Sequence, residues 1–361
     1  MGYQNIPDAT PSSSPIVALP TQRRSLSSFA MGLLLGLLLG VIGVLTPGSP
    51  SPAATLVPTV GSSKTSPRVS TTQSFDMSDA KKYFDFSAST YCIPPSLSSP
   101  YLTPSQVSKI KSSTGISVLN GTRVAPTDLA VVLGTENDGT GIVMSFRGSQ
   151  TPINMLSDLL AWKSTASLGK GCQGCELHAG IMLDYKSISS PALSLLRWEV
   201  EKLKGGRKGR GMGRGKKNDP ITVTITGHSL GGALAALTAF EYVQGLGVGS
   251  GVKVRVFTFG EPRLGNDKFA EAYGGEVDES WRVVNKGDII SHIPMQSFGY
   301  EHEGTEVWME SGGVYEVCQG GEDPNCSNSL SWLLDINEAD HTKGWFGEQG
   351  GADGTMCSFL P

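Results

Sequence analysis

The stretch ITVTITGHSLGGALAALTAF, residues 221–240, runs β-branched residues straight into Gly-His-Ser-Leu-Gly-Gly and then into alanines and leucines. Ile, Val and Thr suit a pleated strand, whereas Ala and Leu suit a helix, so the stretch reads as strand, sharp turn and helix with Ser229 at the turn. Gly227 and Gly231 stand where such a turn leaves no room for side chains, and the small residues after Gly232 let the helix lie close to the sheet. This is the setting of a nucleophile elbow, which presents a serine hydroxyl at the end of a strand beside the positive end of a helix. Gly-x-Ser-x-Gly also occurs in turns that do no chemistry. Ser229 therefore needs a base, an acid to orient the base, and a site for an oxyanion.

Working outward, the sequence predicts strands at residues 129–133, 141–146, 221–226, 252–259 and 281–285, with helices at 190–204, 232–244 and near 267–273. Alternation of this kind marks an α/β fold, a sheet with helices on its faces, and the mostly apolar strands suit burial on both sides. Open sheets of this class place their sites at the C-terminal ends of the strands. The segment WRVVNKGD, residues 281–288, is a strand followed by a loop that brings Asp288 to that edge; the plainer reading of Asp288 is a turn carboxylate. In the chain order Ser, Asp, His, the base comes from His292, His302 or His341. His228 sits beside Ser229 in the turn, so its side chain should diverge from the serine's. His292, four residues past Asp288, suits a structural role, and His341 lies in a terminal segment that a loop can return over the sheet. The backbone N–H of Leu230 is one oxyanion donor, and Ser149, at the end of VMSFRGS, is the other.

The 361 residues, 39% of them hydrophobic, suffice for one large core or two modest ones, and a formal charge of −4 gives no sign of a nucleic-acid partner. The basic run GGRKGRGMGRGKK, residues 205–217, has no aromatic residue on which bases could stack and reads as a flexible surface insertion, with contact to anionic lipid as the other reading. Residues 1–25 form a short N-terminal region, and residues 26–45 carry no charge over about the length of a membrane-spanning helix. Arg23 and Arg24 precede that run and no basic residue follows until Lys64, so the rest of the chain should cross the membrane. The run is then either an uncleaved anchor, which would attach the protein to a membrane, or the core of a secretory signal. Residues 46–76, rich in Pro, Ser and Thr, read as a linker, and residues 77–361 as the folded domain. All six cysteines (Cys92, Cys172, Cys175, Cys318, Cys326 and Cys357) fall there, as expected of disulfides in an exported domain; zinc binding is the rival reading of Cys172 and Cys175. Asn120-Gly-Thr and Asn325-Cys-Ser match the glycosylation acceptor pattern.

FRGS (146–149), HAG (178–180), GHSLGG (227–232), TFGEPRLGN (258–266), NKGDIISHIP (285–294), HEGTEVW (302–308) and DHTKGWF (340–346), taken in order, resemble the fungal class 3 lipases, a family that includes Rhizomucor-type triacylglycerol lipases and related feruloyl esterases. The resemblance implies an α/β-hydrolase fold with a mostly parallel sheet, Ser229 as nucleophile, Asp288 as acid, His341 as base, and Ser149 and Leu230 at the oxyanion. It places His292 and His302 outside the triad and implies bridges Cys92–Cys357, Cys172–Cys175 and Cys318–Cys326. Trp345 departs from the tyrosine that the family commonly carries before phenylalanine, and the basic insert and the hydrophobic run at 26–45 are further departures.

The reaction so implied is ester hydrolysis through an acyl-enzyme, with no metal or organic cofactor. The segment QTPINMLSDLLAWK, residues 150–163, occupies the family's lid position and offers Ile153, Met155, Leu156, Leu159, Leu160 and Trp162 for an apolar surface. That favours lipid esters met at a lipid–water interface over the small phenolic esters of a feruloyl-type esterase, although packing of the same side chains onto the core is the plainer account.

Overall fold

The computed structural model describes residues 74–93, 102–124, 129–136, 139, 141–149, 163–165, 168, 172–209, 220–246 and 250–347. The hydrophobic run at 26–45, the linker up to residue 73, residues 150–162 of the lid-position segment, residues 210–217 of the basic run and Cys357 lie outside them. Among the described residues no helix is long and apolar enough to cross a membrane.

Among the described residues the sheet has eight strands: β1 (Ile116–Val124), β2 (Leu129–Glu136), β3 (Gly141–Phe146), β6 (Ile221–His228), β7 (Val252–Phe259), β8 (Glu279–Asn285), β9 (Thr305–Met309) and β10 (Tyr315–Val317), side by side in that order. The four pairings from β3 to β9 are parallel, and antiparallel pairings flank them at both edges. The short strands β4 (Lys163–Thr165) and β5 (Glu176–His178) pair separately.

Side chains alternate between the faces of a strand, and β2 shows how this builds two cores. Leu129, Val131 and Leu133 join the cluster that covers α3 (Ala179–Gly209), α4 (Leu230–Gln244) and α5 (Asp267–Glu276), while Ala130 and Val132 join the cluster under α1 (Met77–Ser89) and α2 (Pro104–Thr114). The sheet is thus helix-covered on both faces, in the α/β-hydrolase manner.

Three differences from the sequence reading have physical causes. Helix α3 begins at Ala179, not residue 190, and passes through Pro191, because Ile181, Met182, Tyr185 and Ile188 before the proline share one buried cluster with Ala192, Leu193, Leu196 and Val200 after it. Tertiary burial outweighs the one backbone hydrogen bond that proline removes. The same helix takes in residues 205–209 of the basic run, so that part of the expected flexible insertion is helical. Helices α1 and α2 and strands β1, β9 and β10 were not predicted. The helices carried readable start signals: Asp76 accepts from the N–H groups of Ser78 and Asp79, and Thr103 and Gln106 form a capping box with Pro104 between them.

Candidate active site

Strand β6 lies between β3 and β7, and its last residue, His228, hands the chain to Ser229. Ser229 sits at φ 60, ψ −133, and α4 starts at the next residue. A non-glycine residue there costs roughly 1–3 kcal/mol, a strain the surroundings must enforce. A Cβ on Gly227 would run into the main chain of Gly231, and one on Gly231 would run into the carbonyl oxygen of Phe146. The Ser229 N–H donates to the Phe259 carbonyl at 2.8 Å, so β7 holds the turn from the other side. Leu230, the first residue of α4, is buried, and its N–H belongs to the unpaired first turn of a helix beside Ser229.

Beyond β8 the chain turns through Lys286, at φ 47, and Gly287, where a Cβ would run into the carbonyl oxygen of Asp335. This tight turn brings Asp288 alongside Asn337, bridged by Ile289 N–H to the Asn337 carbonyl at 3.1 Å and Asn337 N–H to the Gly287 carbonyl at 2.8 Å. The amide of Asn285 donates to the carbonyls of Asp340 and Lys343 at 2.7 and 2.8 Å, clamping the short helix α6 (Ala339–Thr342) that carries His341. The result is a carboxylate and an imidazole brought together across 53 residues: His341 Nδ1 lies 2.9 and 2.8 Å from the two oxygens of Asp288. Burial alone would raise the Asp288 carboxyl, but the adjacent His341 imidazole and the Ile290 N–H hold it below its ordinary value. Asp288 is therefore the ionised partner, and Nδ1 carries the proton between them.

That assignment leaves the Nε2 of His341 as an acceptor. Nε2 and the Oγ of Ser229 are both buried, and neither has a hydrogen-bond partner among the described residues. Buried polar atoms without partners are uncommon in folded proteins and collect where chemistry is done. Ser229 and His341 share an intermediary in His228, whose ring centroid is 4.4 Å from that of His341. The His228 side chain does diverge from the serine: its Nε2 bonds the His341 carbonyl at 2.8 Å and its Nδ1 bonds the Tyr91 hydroxyl at 2.9 Å.

Two glycines that sequence reasoning passed over are as constrained as the elbow itself. Gly260, at φ 60, leaves open the space that a Cβ would take 2.6 Å from Asp288 Oδ2 and 2.9 Å from the His341 ring. Gly148 packs on the elbow, where a Cβ would meet Ser229 Cβ at 3.1 Å and collide with the Tyr91 hydroxyl. Ser149, half-buried, follows Gly148 directly, three residues past the end of β3. Tyr91 and Asn285 were also missed, because what they do depends on contacts between distant parts of the chain. The Trp345 indole N–H donates to the His341 carbonyl at 3.0 Å.

The other two candidate bases are occupied by main-chain carbonyls. His292 bonds the carbonyls of Asp288 and Ser327 through its two ring nitrogens, at 2.7 and 3.2 Å, and His302 bonds the Ser291 carbonyl at 2.8 Å. Disulfides join Cys172 to Cys175 and Cys318 to Cys326, and Cys92 is also disulfide-bonded; Cys357, its expected partner, lies outside the described residues. Asn120 and Asn325 are both exposed.

Compared with known proteins, residues 143–298 match the model of the family described as lipase (class 3). The lipase of Rhizopus niveus is 30% identical over 191 residues, 52% of this chain and 44% of that protein. A Caenorhabditis elegans lipase is 37% identical over 172 residues, 37% of this chain and 48% of the relative. The chain thus spans about half the length of these relatives. Among solved structures, a triacylglycerol lipase whose catalytic centre is a serine protease triad superposes with a TM-score of 0.61 at 23% identity, over 78% of this chain and 96% of the other, and lipase II from Rhizopus niveus does so with 0.61 at 24%, over 76% and 95%.

Proposed function

We propose that this chain, which belongs to the class 3 lipase family through residues 143–298, is a carboxylic ester hydrolase that cleaves triacylglycerol through an acyl-enzyme on Ser229. The observation that carries the reading is the pairing of His341 Nδ1 with the buried Asp288, together with Nε2 and Ser229 Oγ as buried polar atoms that have no partner among the described residues.

In this reaction Nε2 of His341 takes the serine proton as Oγ bonds to the ester carbonyl carbon, and Asp288 stabilises the imidazolium and keeps the ring in the right tautomer. The oxyanion accepts hydrogen bonds from the backbone N–H of Leu230 and from Ser149. His341 then protonates the departing alkoxide. A water molecule, deprotonated in the same way, attacks the acyl group, and the fatty acid leaves as Ser229 is restored.

The choice of lipid over a small phenolic ester is supported by the loop that leads into His341. Trp332, Leu333 and Leu334 are exposed, the two leucines by 81% and 85%, and Trp332 lies against His292, which bonds Asp288. Apolar side chains so placed suit contact with a lipid surface next to the site. The apolar residues at the lid position, 150–162, agree with this. The two disulfides support work outside the cytosol, with residues 26–45 acting as either a membrane anchor or a cleaved signal.

Hydrolysis of tributyrin, a long-chain triglyceride and methyl ferulate by the same preparation tests the proposal. Turnover of the triglycerides above methyl ferulate is expected; preference for methyl ferulate would make the protein an esterase of the feruloyl type. Failure of all three, with no covalent labelling of Ser229 by a serine-directed phosphonate, would overturn the enzyme reading.

A further inference from the structure

Far along the sheet from the elbow, β1 is the edge strand among the described residues, and Asn120 lies where its register with β2 shifts, between Val118 and Asn120. The side-chain oxygen of Asn120 accepts from the Gly121 N–H at 2.8 Å, so the amide nitrogen is the end left for another partner. Asn120, Gly121 and Thr122, the whole acceptor triplet, form one wall of a groove of about 490 Å3 whose other wall is Pro191, Leu195 and Trp198 of α3. Trp198 is 59% exposed, an unusual state for the largest apolar side chain, and the Lys202 ammonium lies 4.9 Å from its ring centroid. The other triplet differs in each respect: the Asn325 amide donates to Asp323 at 3.1 Å, Cys326 is in a disulfide, and Ser327 is buried.

We propose that Asn120 carries an N-linked glycan whose first sugars lie in the groove against Trp198. An oligosaccharide on a lipid pyrophosphate is the donor: the bond from sugar C1 to the pyrophosphate oxygen breaks, a bond from C1 to Asn120 Nδ2 forms, and the amide proton leaves with the pyrophosphate. The groove is shallow and open to solvent, with room for an N-acetylglucosamine laid along it, and its Pro191, Leu195 and Trp198 side is apolar where a sugar ring presents C–H groups. An indole offers such a ring a flat face, and with the lysine over one side the sugar takes the other. The glycan gives the exposed tryptophan a cover and blocks strand pairing at the edge strand β1. The inference rests on the proposed export of the chain and not on its esterase activity.

The full chain made in a secreting yeast tests it, by peptide mass mapping across β1 in the wild type and in Asn120→Gln, and by timing the removal of the glycan from the native protein with an endoglycosidase. A glycan at Asn120 in the wild type and none in the variant is expected, with removal speeded about fivefold in Trp198→Ala, the factor expected from loss of one aromatic contact. A bare Asn120 in protein whose Cys318–Cys326 disulfide has formed overturns the inference. Equal removal rates in wild type and Trp198→Ala overturn the seat against Trp198. A reduced Cys318–Cys326 pair overturns the export reading along with it, while esterase activity, assayed on the same samples, stands or falls separately.

Discussion

The imidazole of His228, next to the proposed nucleophile, donates from Nε2 to the main-chain carbonyl oxygen of His341 at 2.8 Å. A carbonyl can only accept, so Nε2 bears the hydrogen and Nδ1 must accept from the Tyr91 hydroxyl, at 2.9 Å. One ring thus ties the elbow to the backbone of the base, and accepting from Tyr91 at the same time requires its neutral form with the proton on Nε2. Burial, reinforced by the neighbouring His341, pushes the His228 imidazole down to about 3.

The first prediction concerns acid. With an ordinary value of 6.5 when unfolded and about 3 when folded, His228 binds more protons in the unfolded chain. Its contribution to stability is complete above pH 6.5 and is lost as pH falls from 6.5 towards 3. Thermal melting measured across that window should therefore drop more steeply for the wild type than for His228→Asn, which cannot take up the proton. Equal slopes would show that the ring titrates normally. Tyr91→Phe, which removes the donor to Nδ1, should cost about 1 kcal/mol at neutral pH.

A second prediction follows from the backbone of Ser229, at φ 60. Ser229→Gly should abolish ester hydrolysis and phosphonate labelling while raising stability by about 1 kcal/mol, since glycine adopts this conformation without a steric penalty. Chemical denaturation of the two proteins gives the comparison, and a less stable glycine variant would mean that the turn is not strained.

Asp288→Asn provides a third. The amide keeps the shape of the side chain but no longer favours the Nδ1–H form of His341, so kcat should fall about 10⁴-fold with KM little changed. Gly260→Ala should also inactivate, because its Cβ would come 2.6 Å from Asp288 Oδ2 and 2.9 Å from the imidazole. Kinetics on a soluble p-nitrophenyl ester separate the two cases: the asparagine variant should melt near the wild type, the alanine variant below it.

The Cys318–Cys326 bridge closes a short loop, with a sequence separation of 8, next to β9 and β10. Replacing both cysteines with serine should lower stability by about 2.5 kcal/mol, the loop-closure value for that length. Denaturant titration of the double variant against wild type under non-reducing conditions measures it.

The parts of the fold legible in the sequence were those whose burial is uniform. Strands β3, β6, β7 and β8 are apolar because helices cover both faces, so their runs stand out. Strand β1 is half exposed and carries Asn120, Gly121 and Arg123, and β10 is exposed throughout, so neither has a pattern to read. At the site, Ser229, Asp288 and His341 could be placed from chain order, since their residue types are scarce and their chemistry demands them. The frame that holds them could not: Tyr91 meets His228 across 137 residues, and Gly260 matters only for the side chain it lacks. A glycine that makes room for a distant residue has no local signature.

The His341 carbonyl oxygen accepts two hydrogen bonds, from His228 Nε2 and from Trp345 Nε1 at 3.0 Å. This sets a rule for how the position can drift over evolution. An aromatic ring at 345 is needed to fill the space beside Phe84 and Phe259, but only a ring that brings a hydrogen to donate also serves the oxygen. The indole of Trp345 has both properties, whereas phenylalanine would keep only the first. The main chain of the base is thereby held by two side chains, just as its imidazole is held by Asp288.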